Sequence, residues 1–426
     1  MPLSDDTKTA EKPAPRGDKF FTPPLIIIFI TIFIDLIGFG IVIPILPLYA
    51  QTEPFSASPF VIGMLVSIYS WMQVFFTPVL GQLSDKYGRR PILFISLLGA
   101  AVGYFIIGFA NTLLLVFVGR IIGGITGGNI STAQAYIADV TTRENRAKGM
   151  GLFGAAFGIG FILGPALAGI LSKYGIGVPF FFAGFLSLAN AIALYFILPE
   201  SRKPATHDET PRRGKIAEIL ASLDDRVFRI IALTYFLLIT AFSIMTYAFV
   251  LFSNFAFGFG PEQNGYLFAY VGLISIIMQG LAFGAAAKRF GEAPLAVAGC
   301  LILTVSLFAI PFTGTEAGGV AWLLVASGFL AFGNAFATPA LSSLASKNAG
   351  EHEQGRVLGV LQSGASLARA IGPMIGGILL NNALDQIDQF TVFRTYWAAS
   401  AIMFIAFLAA IYVARAMRDK VPDAIG

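Results

Sequence analysis

Apolar residues fall in long unbroken blocks along this chain, separated by short polar connections. The blocks lie at about 24–50, 59–80, 92–110, 113–138, 149–172, 178–198, 227–257, 263–287, 293–313, 319–345, 356–380 and 392–414. A hydrocarbon core of roughly 30 Å takes about 20 apolar helical residues, so each block predicts one spanning helix. Barrel strands would alternate over about ten residues, and these blocks do not. The expected fold is an all-α polytopic membrane protein with twelve transmembrane helices. The longest polar connection, Pro199 to Arg226, divides six helices from six. Its first part, PESRKPATHDETPRRG, reads as a flexible linker. Its second part sets Ile216, Ile219, Leu220 and Leu223 on one helical face, predicting a short helix on the membrane surface. The expected organisation is an N-tail (1–23), a six-helix bundle (24–198), the linker (199–226), a second bundle (227–415) and a C-tail (416–426).

Composition agrees. Of 426 residues, 56% are hydrophobic and only 12% charged, against about 25% charged in soluble domains. Mean hydropathy is +0.77. The basic balance, pI near 9.1, belongs to loops on one membrane face and implies no nucleic-acid partner. Lys173 and Arg394 fall on the other face, and Arg120 and Arg369 lie inside spans. The remaining Lys and Arg share one face with both tails, so both termini are expected in the cytoplasm. Met1–Thr22 lacks the apolar core and cleavage site of a removable signal. Cys300 is the only cysteine and sits in an apolar run, so neither a disulfide framework nor a thiolate metal site is expected.

Between the second and third blocks stands GQLSDKYGRRP (81–91), expected to form a tight turn on the basic face. A purely topogenic loop would carry similar charge. The halves also read as repeats: GPALAGIL (164–171) aligns with GPMIGGIL (372–379), and the 81–91 stretch with GAAAKRFGEAP (284–294). In this alignment Arg89 faces Glu292, and Asp139 faces Lys347. A double sign reversal preserves attraction, so Arg89–Asp139 and Glu292–Lys347 are expected pairs, latching the two halves on the cytoplasmic side. Asp85 could take Arg356 or the start of the eleventh helix. The expected gate comprises Gly81, Asp85, Gly88, Arg89, Arg90, Asp139, Glu292, Lys347 and Arg356.

Asp35 is the one carboxylate well inside a span. A charge at that depth costs at least about 2.5–3.5 kcal/mol on insertion scales and is functional by default. Arg120, in the fourth block, keeps its proton and must find an acceptor or water. A direct Asp35–Arg120 pair and a bridge through water or Asn129 are both open. Arg369 is a third internal charge, fit to receive an anionic group or to pair across the midline. Asp35 and Arg120 are the expected proton-coupling residues. Asn129, Gln134, Tyr235, Tyr247, Gln279, Asn334, Gln362 and Arg369 are the expected polar lining of a largely apolar cavity.

The pattern G-x-L-x-D-x-x-G-R-R in 81–91 resembles the signature loop of the major facilitator superfamily of transporters. That resemblance implies two pseudo-symmetric six-helix bundles with a substrate site between them at the midplane. Asp35 in IDLIGFGIVIPILP, the loop, Arg120 in GRIIGGITGG and GIGFILGPALAG (158–169) together resemble the twelve-helix drug:proton antiporters, the tetracycline exporters in particular. They imply an antiporter glycine-proline motif at Gly158, Gly160, Gly164, Pro165 and Gly169. Tetracycline exporters carry further acids in the third and ninth helices. Here the third-helix position is Gly103, and the 293–313 run has no acid. A metal–tetracycline chelate wants hard oxygen ligands, which these helices do not supply.

The expected function is proton-coupled export of neutral or weakly charged amphipathic compounds by alternating access. The alternative is a proton-coupled or facilitative carrier of one metabolite, sugar or lipid. An enzyme is not expected: His207 and His352 lie in loops, and no nucleophile–base constellation or metal pair is visible. The expected partners are a small-molecule substrate, protons and the lipid bilayer, with no cofactor or metal. The expected state is a monomer in a bacterial cytoplasmic (inner) membrane.

Overall fold

The computed structural model describes residues 22–141, 145–201, 224–315, 318–349 and 354–419. The expected surface helix at 215–223 and most of both tails lie outside these residues. Twelve long helices run through the described chain. They are α1 (Pro23–Gln51), α2 (Pro59–Tyr87), α3 (Arg89–Gly108), α4 (Leu113–Val140), α5 (Arg146–Ser172), α6 (Val178–Ile197), α7 (Arg226–Phe257), α8 (Pro261–Phe290), α9 (Glu292–Phe312), α10 (Gly319–Asn348), α11 (Gln354–Leu380) and α12 (Gln389–Asp419).

The helix ends follow local chemistry. Pro23, Pro59 and Pro261 occupy first turns, where no backbone donor is lost. Ser58 accepts from the Val61 N–H, and Asp225 from the Val227 N–H. The 81–91 stretch corrects the expected loop: GQLSDKY is the end of α2, and the turn is Gly88 alone. Gly88 has φ +102°, and its counterpart Gly291, between α8 and α9, has φ +81°. Only glycine takes such values without strain, so a helix can stop and restart within one residue.

Contacts gather α1–α6 and α7–α12 into two bundles. The bundles meet along two seams, α2 against α11 and α5 against α8. Exchanging the halves converts one seam into the other. A Cβ placed on Gly63 would lie 2.5 Å from the Pro373 carbonyl oxygen and 2.9 Å from the Gly377 Cα. A Cβ on Gly265 would lie 2.5 Å from the Pro165 oxygen and 2.9 Å from the Gly169 Cα. Backbones therefore touch at both seams, which is what small residues permit between packed membrane helices. Both crossings lie at the end of the molecule away from Gly88. Lys173 Nζ lies 2.7 Å from Glu262 Oε1 and ties α5 to α8 at the same end.

Toward the Gly88 end the seam helices stand apart. A Cβ on Gly280, Gly284, Gly355 or Gly359 would meet nothing within 4 Å. Phe75 on α2 and Leu281 on α8 are exposed. The result is a cleft open at the Gly88 end and shut at the other.

Candidate functional site

The site forms where α1, α2, α3 and α4 converge in the first bundle. Asp35, Phe39, Tyr69, Gly103, Tyr104, Gly119 and Arg120 line a small cavity of about 20 Å³, room for one water. Glycines on α4 bring the helices close enough. A Cβ on Gly124 would lie 2.5 Å from the Tyr69 carbonyl oxygen, and one on Gly128 3.0 Å from the Thr77 backbone. At Gly127–Asn129 α4 tightens to a 3₁₀ turn, which swings Asn129 onto α1. Its Nδ2 donates to Asp35 Oδ2 at 3.3 Å. Among the described residues no lysine or arginine pairs with Asp35.

Arg120 turns elsewhere. Its Nε donates to the Leu65 carbonyl at 3.1 Å and its Nη2 to the Val66 carbonyl at 3.4 Å. Its guanidinium lies 4.3 Å from the centre of the Tyr69 ring, a cation–π contact. It is buried at 5% exposure, so these α2 groups do the work of water. The direct Asp35–Arg120 pair does not form, and Asn129 does not bridge the two: it reaches Asp35 alone, while Arg120 turns to α2. Tyr69 also holds Gln73, whose Nε2 lies 3.3 Å from the Tyr69 hydroxyl and donates to the Gly127 carbonyl at 2.9 Å.

Arg369 enters from the second bundle. Its Nη2 donates to Ser366 Oγ at 3.2 Å on its own helix. It lies within electrostatic reach of Tyr235 and Tyr69. Tyr69 shares its cavity with Asp35 and carries Arg120 on its ring. Tyr235 is half-buried. Asn334 Oδ1 accepts from Thr338 at 2.9 Å. Gln134 is half-buried, and Gln362 and Gln279 are exposed. Gln279 lies in a π-helical stretch of α8, Met278–Phe283. Such stretches are frequent at functional sites. Tyr247 is a correction: it is 3% exposed and its hydroxyl donates to the Pro59 carbonyl across the α2–α11 seam. It packs against Gly376 and does not line the cleft.

At the Gly88 end, Arg89 is buried at 5% exposure. Its Nε lies 3.1 Å from Asp139, its Nη2 2.8 Å from Asp85, and its Nη1 donates to Ser84 Oγ at 2.6 Å. In the second half Lys347 pairs with Glu292, and Ser343 donates to the same carboxylate at 3.3 Å. Both mirrored pairs form, but each lies inside one bundle. The expectation that they latch the halves together is corrected: they brace α2, α3 and α4 in one half and α9 and α10 in the other. Among the described residues, Lys173 is a cation that does bridge the halves, at the opposite end. Gly81 packs toward Ser131 of its own bundle, and Arg356 stands in the first turn of α11. Arg90 donates to the Tyr195 carbonyl and its guanidinium lies 5.1 Å from the Tyr195 ring.

The antiporter motif divides its glycines between two neighbours. A Cβ on Gly160 would lie 2.7 Å from the Leu36 Cβ, and one on Gly164 2.7 Å from the Gly40 Cα. Pro165 and these glycines face α1 just beyond Asp35. Gly158 and Gly169 face Ile276 and Glu262 of α8. The motif thus packs the Asp35 helix on one side and a seam between the bundles on the other.

Sequence reasoning missed several residues. Glu200 accepts from the Arg89 and Arg90 N–H groups at 2.8 and 3.1 Å, satisfying the start of α3. Tyr69 and Tyr104 line the Asp35 cavity, and Gln73 hydrogen-bonds Tyr69 and Gly127 behind it. Their signal was faint: Tyr69 and Gln73 are one helical turn apart opposite the glycine-rich stretch of α4.

Fold and site together define a polytopic membrane carrier rather than an enzyme. The family model described as Major Facilitator Superfamily matches residues 28–373 and 256–425. The chain belongs to this superfamily of transporters. It is 29% identical to the tetracycline resistance protein, class H, of Pasteurella multocida, covering 94% of this chain and 98% of that one. It is 30% identical to multidrug resistance protein 2 of Bacillus subtilis (strain 168), covering 84% and 88%. Among solved structures, an inward-facing, occupied bacterial homologue of the human lysosomal transporter Spinster superposes with a TM-score of 0.75 at 14% identity. That match covers 94% of this chain and 98% of that chain, and it speaks for the fold.

Proposed function

We propose that the protein exports neutral or weakly charged amphipathic organic compounds in exchange for protons, by alternating access. The observation that carries this reading is Asp35. It is an interior carboxylate held by a neutral amide, lining a small cavity among α1–α4. A carboxylate without a cationic partner in a low-dielectric interior is costly when ionised. It therefore favours taking up a proton, or a compensating cargo, before the cleft closes around it. Arg120 positions Tyr69 and α2 beside it. The cleft draws its polar lining from Asn129, Gln134, Tyr235, Gln279, Asn334, Gln362 and Arg369.

The basic loops at the Gly88 end support a cytoplasmic position for it by the positive-inside rule. Both termini share that side, and the membrane is the bacterial inner membrane. The structure is then the cytoplasm-open state of a monomer. Relatives named for tetracycline and multidrug resistance support drug export over carriage of a single metabolite.

The test is uptake into inverted membrane vesicles under an imposed pH gradient. Asp35→Asn should leave a folded protein that binds compounds and no longer drives their uptake from the gradient. Full gradient-driven uptake by this variant would overturn the assignment.

A further inference from the structure

Arg369 is a charge inside a span that no carboxylate among the described residues answers. Among the described residues its polar partner is Ser366 Oγ, one turn back on α11. Ser366 is half-buried, Gln362 exposed, and with Arg369 they fall at i, i+4 and i+7, one face of the helix. That face looks into the cleft: Gly355 and Gly359 continue it toward the Gly88 end, and a Cβ on either would meet nothing within 4 Å. Arg120 is different in kind: two carbonyls and a ring occupy it.

A guanidinium cannot shed its proton, and it presents paired donors that match a carboxylate in bidentate geometry. With Asp35, Arg120 and Arg369 all ionised the interior carries one excess positive charge, and Arg369 is the charge without an occupant. We infer that Arg369 docks the acidic group of the substrate. The preferred cargo is then a zwitterionic amphiphile, its carboxylate on Arg369 and its cationic end toward Asp35.

The two-ended geometry reconciles an anion site with proton exchange. The cationic end competes with the proton for Asp35. The anionic end holds the molecule in register and neutralises Arg369. A simple anion would be held more tightly when Asp35 is protonated, which opposes release on the side where protons enter. A zwitterion does not meet that obstacle, and its net charge is zero. This inference rests on the export reading for its exchange step, but its binding step can be tested alone.

The test uses rhodamine 110, which carries a free carboxylate, and rhodamine 123, its methyl ester. The two share one aromatic cation and differ in the acid. Binding to purified detergent-solubilised protein is followed by fluorescence anisotropy at neutral pH. The expected result is at least tenfold tighter binding of the acid than of the ester. Arg369→Ala should abolish that preference by weakening the acid alone, and Arg369→Lys should keep part of it. Removing a lone interior charge should not prevent folding, and size-exclusion profiles check this. Equal affinity for acid and ester, an acid preference that survives Arg369→Ala, or no binding of either dye would overturn the inference. Loss of gradient-driven uptake with the acid preference intact would count against the export reading alone.

Discussion

Gly265 on α8 and Gly169 on α5 meet backbone to backbone: a Cβ on Gly265 would stand 2.9 Å from the Gly169 Cα. Gly63 and Gly377 repeat the contact at the symmetry-related seam, at the same 2.9 Å. These crossings hold the bundles shut at one end. They must part when the cleft opens there.

Gly265→Ala and Gly63→Ala should therefore disfavour the conformation seen here. Each methyl would also come within 2.5 Å of a proline carbonyl oxygen, Pro165 or Pro373. Overpacking of this kind costs about 1–3 kcal/mol, roughly a five- to 150-fold shift in a two-state equilibrium. Spin-label distances between the outer ends of α2 and α11 should lengthen in both variants. Unchanged distances would count against the seams as the closing element.

Lys173 and Glu262 form an ion pair that crosses between the bundles. Proximity to Glu262 holds the Lys173 ammonium above its usual lysine range. The sign is that of a raised cation: its contribution is complete below the ordinary lysine range and fades as pH rises above it. The pair is solvent-exposed and screened by salt, so its loss should be a modest effect. Lys173→Glu should raise the accessibility of a cysteine in the outer seam to a charged reagent at low salt, and adding Glu262→Lys should reverse this. A double variant no closer to wild type than the single would refute the pairing.

Arg89 braces one bundle, so its replacement should cost stability. Removing one partner of a buried pair costs about 3–5 kcal/mol. Asp139 is 28% exposed, which lowers the expected loss for Arg89→Ala to about 1–3 kcal/mol. Glu200→Gln should also destabilise, since it removes the charge that accepts the first N–H groups of α3. Thermal denaturation in detergent would show both. A variant that keeps its melting temperature and loses only transport would restore the latch between halves.

Tetracycline should be a poor substrate. Gly103 stands at the third-helix position where the resemblance to the tetracycline exporters implies an acid. A Cβ there would lie 2.8 Å from the Gly119 carbonyl oxygen, so α4 occupies the place of a carboxylate. Expression in a susceptible host should raise resistance to amphipathic dyes by more than it raises tetracycline resistance. Strong tetracycline resistance that depends on magnesium would contradict this.

The sequence by itself determined the number of spans and the interior placement of Asp35, Arg120 and Arg369. These rest on hydrophobicity and charge summed locally along the chain, and a bilayer reads them segment by segment. The paired signs of Arg89–Asp139 and Glu292–Lys347 were legible for a related reason: the repeat states the same contact twice. Tertiary structure alone decided that Arg120 serves Leu65 and Val66 rather than Asp35. It also set Tyr247 in a seam and left the charged pairs inside their bundles. Each of these depends on which helix faces which and at what height. That is set by backbone crossings at glycines such as Gly63, Gly124 and Gly265, where a missing side chain leaves no periodic mark in the sequence.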